Sequence, residues 1–311
     1  IYCTGRPYDT LEEVIGLRGS GNGSLRDYGI SYKQVDLLPD GSIDLGGIKK
    51  AVSEKTRMVT VQRATGYGWR KAITIEQIEE WARFVSGLSP HIVKMVDNCY
   101  GEFTQKQEPT QRGADLMAGS LIKNPGGGIA PTGGYIAGRA DLVELCAHRL
   151  SAPGVGGEIG CTLDMLRGMY LGLYYAPGVV CEALKTSVYA ACLFELLGYA
   201  ATPAYGAQRN DIITSVETGS PEGMVALCGG VQAGSPVDSF AAPEPGDMPG
   251  YDDEVIMAAG AFTLGSSIEL SADGPMREPY TVYVQGGLNF AAARAGVLLG
   301  ADRMLRLRRS E

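Results

Sequence analysis

The sequence predicts an α/β protein with a mainly parallel sheet in a large N-terminal domain and a smaller α+β domain at the C-terminus. Through about residue 150, short apolar runs that end in polar or glycine-rich turns alternate with amphipathic segments, which is the pattern of βα units. A long helical stretch follows, and further short strands and helices come after it. We therefore expect a large domain over residues 1–160, connecting helices over 161–198 and a small domain over 199–311.

The elements of the first part follow from the spacing of its apolar residues. Apolar runs predict strands near residues 1–4, 30–36, 58–63, 92–97, 116–120 and 134–138. Apolar residues at helical spacing predict helices near 8–17, 45–52, 75–85 and 141–150. Thr74 followed by Gln77 is a capping-box pattern, so the third of these helices should begin directly after Thr74.

The second part reads as helices around a small sheet. Residues 161–198 form a long helical pattern interrupted at Pro177, because a proline inside a helix ends or kinks it. Beyond it, the sequence predicts a helix near 221–233, strands near 255–262, 267–271 and 280–285, and a last helix over 288–299. This order predicts a largely antiparallel sheet.

Composition excludes several classes of function. The 311 residues are 45% hydrophobic and 20% charged, and the net charge is 27 − 35 = −8, so no broad basic face is available to bind nucleic acid. No apolar stretch approaches the roughly 20 residues that span a bilayer, and no signal-peptide pattern opens the chain. We therefore expect a cytoplasmic protein with no membrane partner.

The cysteines and the common catalytic motifs narrow the chemistry further. The seven cysteines are odd in number and contain no C-x-x-C pair, so we expect reduced thiols, for the most part small core residues: Cys3, Cys99, Cys146, Cys161, Cys181, Cys192 and Cys228. A dinucleotide fingerprint, a P-loop and a nucleophile elbow are all missing, and the two histidines, His91 and His148, lack metal-ligand spacing. Acid–base work at neutral pH then falls to a Lys, Tyr, carboxylate or Cys, or to a cofactor.

Two segments carry residues that suit such chemistry. Asp97 ends the strand Val93-Lys94-Met95-Val96, at the carboxyl edge where parallel sheets bind ligands. Lys123 follows another strand and enters the glycine-rich loop Asn124-Pro125-Gly126-Gly127-Gly128. Alone, Asp97 could be a turn cap and Lys123 a solvated loop lysine.

Together the two segments match the needs of pyridoxal 5'-phosphate (PLP). That cofactor requires a lysine that bonds covalently to its aldehyde and a carboxylate that keeps its pyridine nitrogen protonated. Asp97 and Lys123 lie 26 residues apart, enough for one crossover between neighbouring strand ends. Ser120 could then bond a phosphate oxygen, and Tyr100 could donate a hydrogen bond to the ring's phenolic oxygen.

At these segments the sequence resembles the fold-type I PLP enzymes, the aspartate aminotransferase superfamily. Asp97-Asn98-Cys99-Tyr100 is similar to the Asp-x-x-Tyr of its aminotransferases, and Ser120-Leu121-Ile122-Lys123 to its Ser-x-x-Lys. Within the superfamily it resembles most the methionine γ-lyase-like family, also called aluminum resistance proteins and grouped with cystathionine β-lyases. The motifs that carry this resemblance also include Arg6-Pro7-Tyr8-Asp9-Thr10-Leu11-Glu12, Gln62-Arg63, Gly66-Tyr67, Trp69-Arg70, Ser235-Pro236-Val237-Asp238-Ser239 and Ala272-Asp273-Gly274-Pro275.

The resemblance implies the aspartate aminotransferase-like fold and adds three site residues. Tyr8 lies where related C–S lyases place an aromatic residue that stacks on the cofactor ring and can act as an acid, although it could equally pack at a helix start. Arg277 would hold the substrate α-carboxylate, the alternative being a surface ion pair with Glu278. Arg63 is a further substrate contact, although Ala64 and Thr65 depart from the serine and basic residue that we expect after it.

The resemblance also implies an assembly and an activity. We expect a homodimer or homotetramer, and a glycine-containing segment with phosphate contacts upstream of residue 1, so that the N-terminal part of the large domain is missing here. The implied activity is β- or γ-elimination on a sulfur-containing amino acid such as methionine or cystathionine, a small-molecule substrate. The alternatives are a PLP-dependent aminotransferase or other PLP chemistry, or a non-catalytic protein of this fold in metal-stress response.

Overall fold

Two β-sheets, one in each half of the chain, organise the molecule. The computed structural model describes residues 1–160, 162–263 and 265–310. Within these residues, a four-stranded sheet has the order β1-β2-β3-β4 and a five-stranded sheet the order β5-β6-β9-β8-β7. The strands are β1 (Met58–Gln62), β2 (Val93–Asp97), β3 (Leu116–Ser120), β4 (Gly134–Gly138), β5 (Ala201–Thr202), β6 (Thr214–Glu217), β7 (Val255–Ala258), β8 (Ser271–Pro275) and β9 (Thr281–Gln285).

Seven α-helices surround these sheets in the described part of the chain. They are α1 (Leu11–Ile15), α2 (Leu45–Ala51), α3 (Ile75–Leu88), α4 (Ala140–Leu150), α5 (Leu166–Leu196), α6 (Pro221–Ala233) and α7 (Phe290–Ser310). Among the described residues, no helix combines the length and the apolar character that crossing a membrane requires. The six cysteines of this part of the chain are free thiols, as predicted, and Cys161 lies outside it.

The first sheet is mainly parallel, as the sequence predicts. β1, β2 and β3 run parallel, and β4 joins the edge antiparallel to β3. Helix α3 begins at the predicted capping box, where the Gln77 N–H donates to Thr74 Oγ1 at 3.1 Å and the Thr74 N–H donates to Gln77 Oε1 at 2.9 Å. Its buried face, with Trp81 at the centre, packs with Val59 and Val61 of β1 into one hydrophobic core.

Two predicted strands of this half are reduced to single bridges. Tyr2 pairs with Gln34 on one side and Thr60 on the other, in parallel, while the rest of 1–4 and 30–36 has no ladder. The segment 30–36 is mostly exposed and hydrogen-bonds to the segment around Tyr2 on one edge only. A regular strand is stabilised by packing against its neighbours, and this segment has a single neighbour and few buried side chains.

The long helix α5 continues through Pro177, whereas the sequence predicted an interruption there. Proline removes one helical hydrogen bond, the bond to the carbonyl of Leu173 four residues earlier. Both Leu173 and Pro177 are exposed, so water can bond that carbonyl and the proline ring meets solvent. The predicted division into domains stays a prediction, although α5 does separate the two sheets in sequence.

The second sheet is antiparallel throughout, as predicted, with α5, α6 and α7 packed around it in a second core. Its strand β8 lies at 271–275 and not at the predicted 267–271, and the short strands β5 and β6 were not predicted. The sequence of β8, Ser-Ala-Asp-Gly-Pro, resembles a turn, yet all five residues are buried. Gly274 is needed there because a Cβ would lie 2.3 Å from the Thr281 carbonyl oxygen.

Candidate active site

A cavity of about 370 Å³ lies where the C-terminal ends of β1 and β2 face strands β8 and β9. Side chains from both halves of the chain form its wall. The described residues that line it are Tyr8, Thr10, Leu11, Gln62, Ala64, Gly66, Tyr67, Asp97, Cys99, Tyr100, Lys123, Ile213, Met257, Ala259, Gly265, Ser267, Ser271, Asp273, Tyr283 and Gln285. Four of the predicted site residues, Tyr8, Asp97, Tyr100 and Lys123, are among them.

Asp97 stands at the end of β2, in the position that strand-end reasoning predicts. Its neighbours across the sheet are Gln62 of β1 and Ala118 of β3. Its Oδ1 atom accepts the Cys99 N–H at 3.1 Å, which fixes the turn after the strand. Asp97 therefore caps this turn and also presents a carboxylate to the cavity at the edge where parallel sheets bind ligands.

Lys123 and Tyr100 meet inside this cavity. The Lys123 Nζ lies 4.3 Å from the centroid of the Tyr100 ring, a cation–π distance. Burial lowers the pKa of the Lys123 amine, but the acidic groups around it, Tyr100 first among them, raise that pKa by more. Tyr100 has a positive φ of 67°, uncommon for a residue with a side chain, and Ser267 Oγ donates to its hydroxyl at 3.2 Å. The chain thus holds the Tyr100 ring against the amine.

Four tyrosines form an aromatic wall, and three of them, Tyr8, Tyr67 and Tyr283, line the cavity. The ring of Tyr67 lies 5.7 Å from Tyr8, 5.9 Å from Tyr251 and 5.0 Å from Tyr283, centroid to centroid. The hydroxyls of Tyr8 and Tyr251 are hydrogen-bonded to each other. Burial raises the pKa of Tyr8 to about 12. Tyr8 is therefore placed to pack on a planar ligand, and its hydroxyl holds its proton firmly.

Asp273 is a cavity residue that the sequence analysis did not single out as a site. It lies on β8, is 4% exposed, and its Oδ2 accepts the Gln285 Nε2–H at 2.7 Å. Its other oxygen, Oδ1, is buried and has no hydrogen-bond partner among the described residues. Burial raises the pKa of this carboxyl to about 6. The signal that could have found it is the motif Ala272-Asp273-Gly274-Pro275, but Gly274 and Pro275 make the segment look like a turn.

Ser120 is the predicted phosphate contact, and it lies at the end of β3 in the same loop as Lys123. Its Oγ accepts the Ile122 N–H at 3.4 Å. The described residues that line the cavity do not include Ser120. Its contact with a phosphate stays a prediction. Because Ser120 Oγ accepts the Ile122 N–H, its own hydroxyl proton can be donated to another group.

Arg277 lines a second cavity of about 230 Å³ that shares Tyr8 and Tyr67 with the first. Its Nη1 lies 3.1 Å from Asp253 Oδ2, and its Nη2 lies 3.9 Å from Asp9 Oδ2. The predicted alternative was an ion pair with Glu278, but these two aspartates are the partners observed. The Arg277 side chain is 39% exposed, so an incoming carboxylate can reach its guanidinium.

Arg63 has a different place from the one predicted. Its side chain is 0% exposed and lines neither cavity. Its Nη1 donates to Asn98 Oδ1 and to the Gly101 carbonyl, both at 2.9 Å, and its Nη2 donates to Thr104 Oγ1 at 3.2 Å. The structure therefore corrects the expectation of a substrate contact: Arg63 supports the loop after Asp97, and both of its Nη atoms donate to acceptors of this loop.

We expect Arg63→Met to destabilise the protein by about 3 kcal/mol, because it leaves the buried acceptors of this loop without their donor. Urea denaturation followed by circular dichroism measures the change. The matched control is Arg83→Met, which removes an exposed arginine paired with Glu79 within helix α3 and should change stability by no more than about 0.5 kcal/mol. Equal stabilities of the Arg63 variant and the unmodified protein would contradict the structural role.

Comparison with known proteins places the chain in a family. The family described as methionine gamma-lyase matches residues 1–305. The chain belongs to the methionine gamma-lyase family. Within it, the chain is 48% identical over 306 residues to a Bacillus subtilis (strain 168) protein named "Uncharacterized protein YnbB", a match that covers 98% of this chain and 73% of the relative.

Solved structures of similar proteins share the fold over 97% of this chain. A Listeria innocua protein named "putative cystathionine beta-lyase involved in aluminum resistance" is 50% identical with a TM-score of 0.94, covering 97% of this chain and 74% of its own. A Clostridium novyi NT protein, named a carbon-sulfur lyase involved in aluminum resistance, is 49% identical with a TM-score of 0.92, covering 97% and 71%. More distantly, the PLP-dependent protein YhfS of Escherichia coli, 14% identical with a TM-score of 0.60 and covering 98% and 74%, has the same fold.

The residues of the cavity fit the PLP that this family implies. Lys123 offers a primary amine inside the cavity, Asp97 offers a carboxylate at the sheet edge, and Tyr100 offers a hydroxyl beside the amine. The Oδ1 atom of Asp273 is a buried acceptor with no donor in the described residues, as expected of a wall that faces a polar ligand. The Tyr8 and Tyr67 rings provide an apolar face for a planar ring.

Proposed function

We propose that this member of the methionine gamma-lyase family is a PLP-dependent carbon–sulfur lyase. It would act on a sulfur-containing amino acid, methionine-like or cystathionine-like, by β- or γ-elimination and release a thiol, ammonia and a 2-oxo acid. The observation that supports this most is the meeting of Lys123, Asp97 and Tyr100 in one cavity. The names of the similar Listeria and Clostridium proteins point in the same direction.

The residues of the chain would divide the work as follows. When bound, PLP supplies an electron sink for the charge that remains on the substrate Cα after proton loss. Lys123 Nζ would hold the cofactor and, once displaced by the substrate amine, would move the Cα proton. Asp97 would keep the ring nitrogen protonated, and Tyr100 and Ser120 would bind cofactor oxygens.

The substrate would lie between the two cavities. Arg277 would exchange its contacts with Asp253 and Asp9 for the α-carboxylate, which accepts two parallel hydrogen bonds from a guanidinium. Tyr8 would pack against the cofactor and the reacting atoms, and the aromatic wall would exclude water from them. A homodimer or homotetramer belongs to this proposal because fold-type I enzymes usually complete their sites at a subunit interface.

The test combines spectroscopy with product analysis of the purified protein. We expect added PLP to give a visible absorption band that borohydride reduces, with the label found by mass spectrometry on the peptide that carries Lys123. Incubation with S-substituted cysteines, cystathionine and methionine should then release ammonia and a 2-oxo acid in equal amounts together with a thiol. A new amino acid formed without ammonia would favour transamination, and PLP binding without any turnover would favour the non-catalytic alternative.

A further inference from the structure

The Asp273 carboxyl has a buried oxygen, Oδ1, that accepts no hydrogen bond from the described residues. A buried carboxylate oxygen without a donor destabilises a protein, because it has lost its hydrogen bonds to water and gained none in return. Gln285 occupies Oδ2, and Ser271 Oγ approaches the same atom at 3.5 Å, so both described contacts leave Oδ1 to the cavity. The arrangement holds the carboxyl in one orientation and keeps one oxygen for whatever fills the cavity.

We propose that Asp273 is the acid that protonates the leaving sulfur of the substrate. This inference rests on the proposed lyase function and assigns to Asp273 the proton transfer that the family resemblance offered to Tyr8. Asp273 lines the same cavity as Lys123, from the opposite sheet. A group on β8 and a group after β3 can therefore act on two different bonds of one substrate, the amine on the Cα proton and the carboxyl on the sulfur.

Asp273 is better suited than Tyr8 to give up a proton. Burial raises the pKa of the Asp273 carboxyl to about 6, whereas burial raises the pKa of the Tyr8 hydroxyl to about 12. An acid is most effective when its pKa lies near the working pH. The Tyr8 hydroxyl is also engaged with Tyr251, while Oδ1 of Asp273 has no partner in the described structure.

The groups that face this carboxyl from the surrounding elements set its titration. They are Tyr67, Lys123, Tyr8, Tyr251, Tyr283, Tyr100 and Cys228. Burial is the largest influence and raises the pKa, and the neighbouring Tyr67, Gln285 and Ser271 side chains together with the Lys123 charge oppose it. Lys123 is the one cation in this set, so the proton stays on Asp273 more readily when Lys123 is neutral.

The step is balanced within the elimination. The neutral amine of Lys123 takes the proton from Cα, and the carbon–sulfur bond breaks with its electron pair on sulfur. The sulfur takes the carboxyl proton of Asp273 and leaves as a neutral thiol. Lys123 is left protonated and Asp273 is left as a carboxylate. After the products leave, Lys123 gives its proton to solvent water and Asp273 takes one from it, so the protons balance and no oxidant or reductant takes part.

Two substrates that differ only in the leaving group test this assignment. S-ethylcysteine must lose a thiolate, which needs a proton, whereas β-chloroalanine loses chloride, which does not, and both yield pyruvate. Asp273→Asn should lower kcat/KM for S-ethylcysteine by about 10²- to 10⁴-fold and for β-chloroalanine by less than about threefold. If the protein catalyses γ-elimination only, methionine and O-acetylhomoserine form the corresponding pair, because acetate leaves without protonation.

The unmodified protein offers a second measurement that does not depend on a variant. The ratio of kcat/KM for S-ethylcysteine to that for β-chloroalanine should be constant below the pKa of Asp273 and fall up to tenfold per pH unit above it, because titrations shared by both substrates cancel. The control is Asp211→Asn, a buried carboxyl outside the cavity whose oxygens accept the backbone N–H groups of Thr65 and Ile213. Its effect should be equal on both substrates.

Each outcome decides between the interpretations. Equal losses on both substrates in Asp273→Asn, or a ratio that does not change with pH, would overturn the acid role and leave Asp273 as a positioning residue. If the unmodified protein binds PLP but eliminates from none of the four compounds, the lyase function itself fails. Activity on the chloride or acetate substrate alone, with none on the thioether in any variant, would contradict the Asp273 assignment while the elimination chemistry stands.

Discussion

Lys123→Ala should abolish both the visible absorption band of added PLP and the release of 2-oxo acid. The variant lacks the amine that lies in the cavity over the Tyr100 ring, so the covalent link has no nucleophile and the Cα proton has no base to accept it. We expect activity to fall by at least about 10⁴-fold. Absorption spectroscopy and a coupled lactate dehydrogenase assay for pyruvate measure the two losses.

Lys123→Arg separates the covalent role from the electrostatic one. Arginine keeps the positive charge against Tyr100 but is too weak a nucleophile to bond to an aldehyde. We expect this variant to fold with the stability of the unmodified protein and to lack the band. Lys106→Ala, at an exposed lysine in the loop that follows Asp97, is the matched control and should keep at least half of the activity. A reducible band in both Lys123 variants would refute the assignment.

Asp97→Asn should leave PLP bound and lower the elimination rate by about 10²- to 10³-fold. The amide keeps the size of the side chain, but it cannot supply the negative charge that holds a proton on the ring nitrogen. The measurement is kcat together with the absorption spectrum, which shows that the cofactor is still linked to Lys123.

The control for Asp97→Asn is an exposed carboxyl outside the cavity. Asp141→Asn removes an exposed carboxyl that pairs with Arg139 and should leave kcat unchanged within a factor of two. An Asp97→Asn variant with kcat within threefold of the unmodified protein would show that Asp97 only caps the turn at Cys99.

The sequence predicts best where a local pattern is sufficient. The capping box at Thr74, the parallel strands β1 to β3 and the strand-end place of Asp97 all follow from residues within a few positions of one another. The sequence fails where distant neighbours decide. The segments around Tyr2 and 30–36 lack enough neighbours to become full strands, and β8 is a strand because β9 pairs with its residues 271–273 and β7 with its residues 272–275.

The residues of the candidate site also differ in whether a local motif is sufficient to predict them. Lys123 and Asp97 carry local motifs and do lie in one cavity. Arg63 carries a motif as well, but its burial among the carbonyls of the loop after Asp97 depends on packing that no spacing reveals. Asp273 also lies in a motif, but its burial and its unpaired oxygen arise only when β8 is placed opposite the first sheet.

The main cavity is lined by residues of both sheets, and this affects how the protein unfolds. Asp97 ends a strand of the first sheet and Lys123 follows another, while Asp273 and Tyr283 belong to the second sheet, and each sheet has its own hydrophobic core. A ligand seated between them is lost when either half opens, so its binding free energy opposes the unfolding of both. At a hundred times its Kd this linkage amounts to about 2.7 kcal/mol. Occupancy of the cavity thus makes the melting of two cores a more cooperative event than it is in the empty protein.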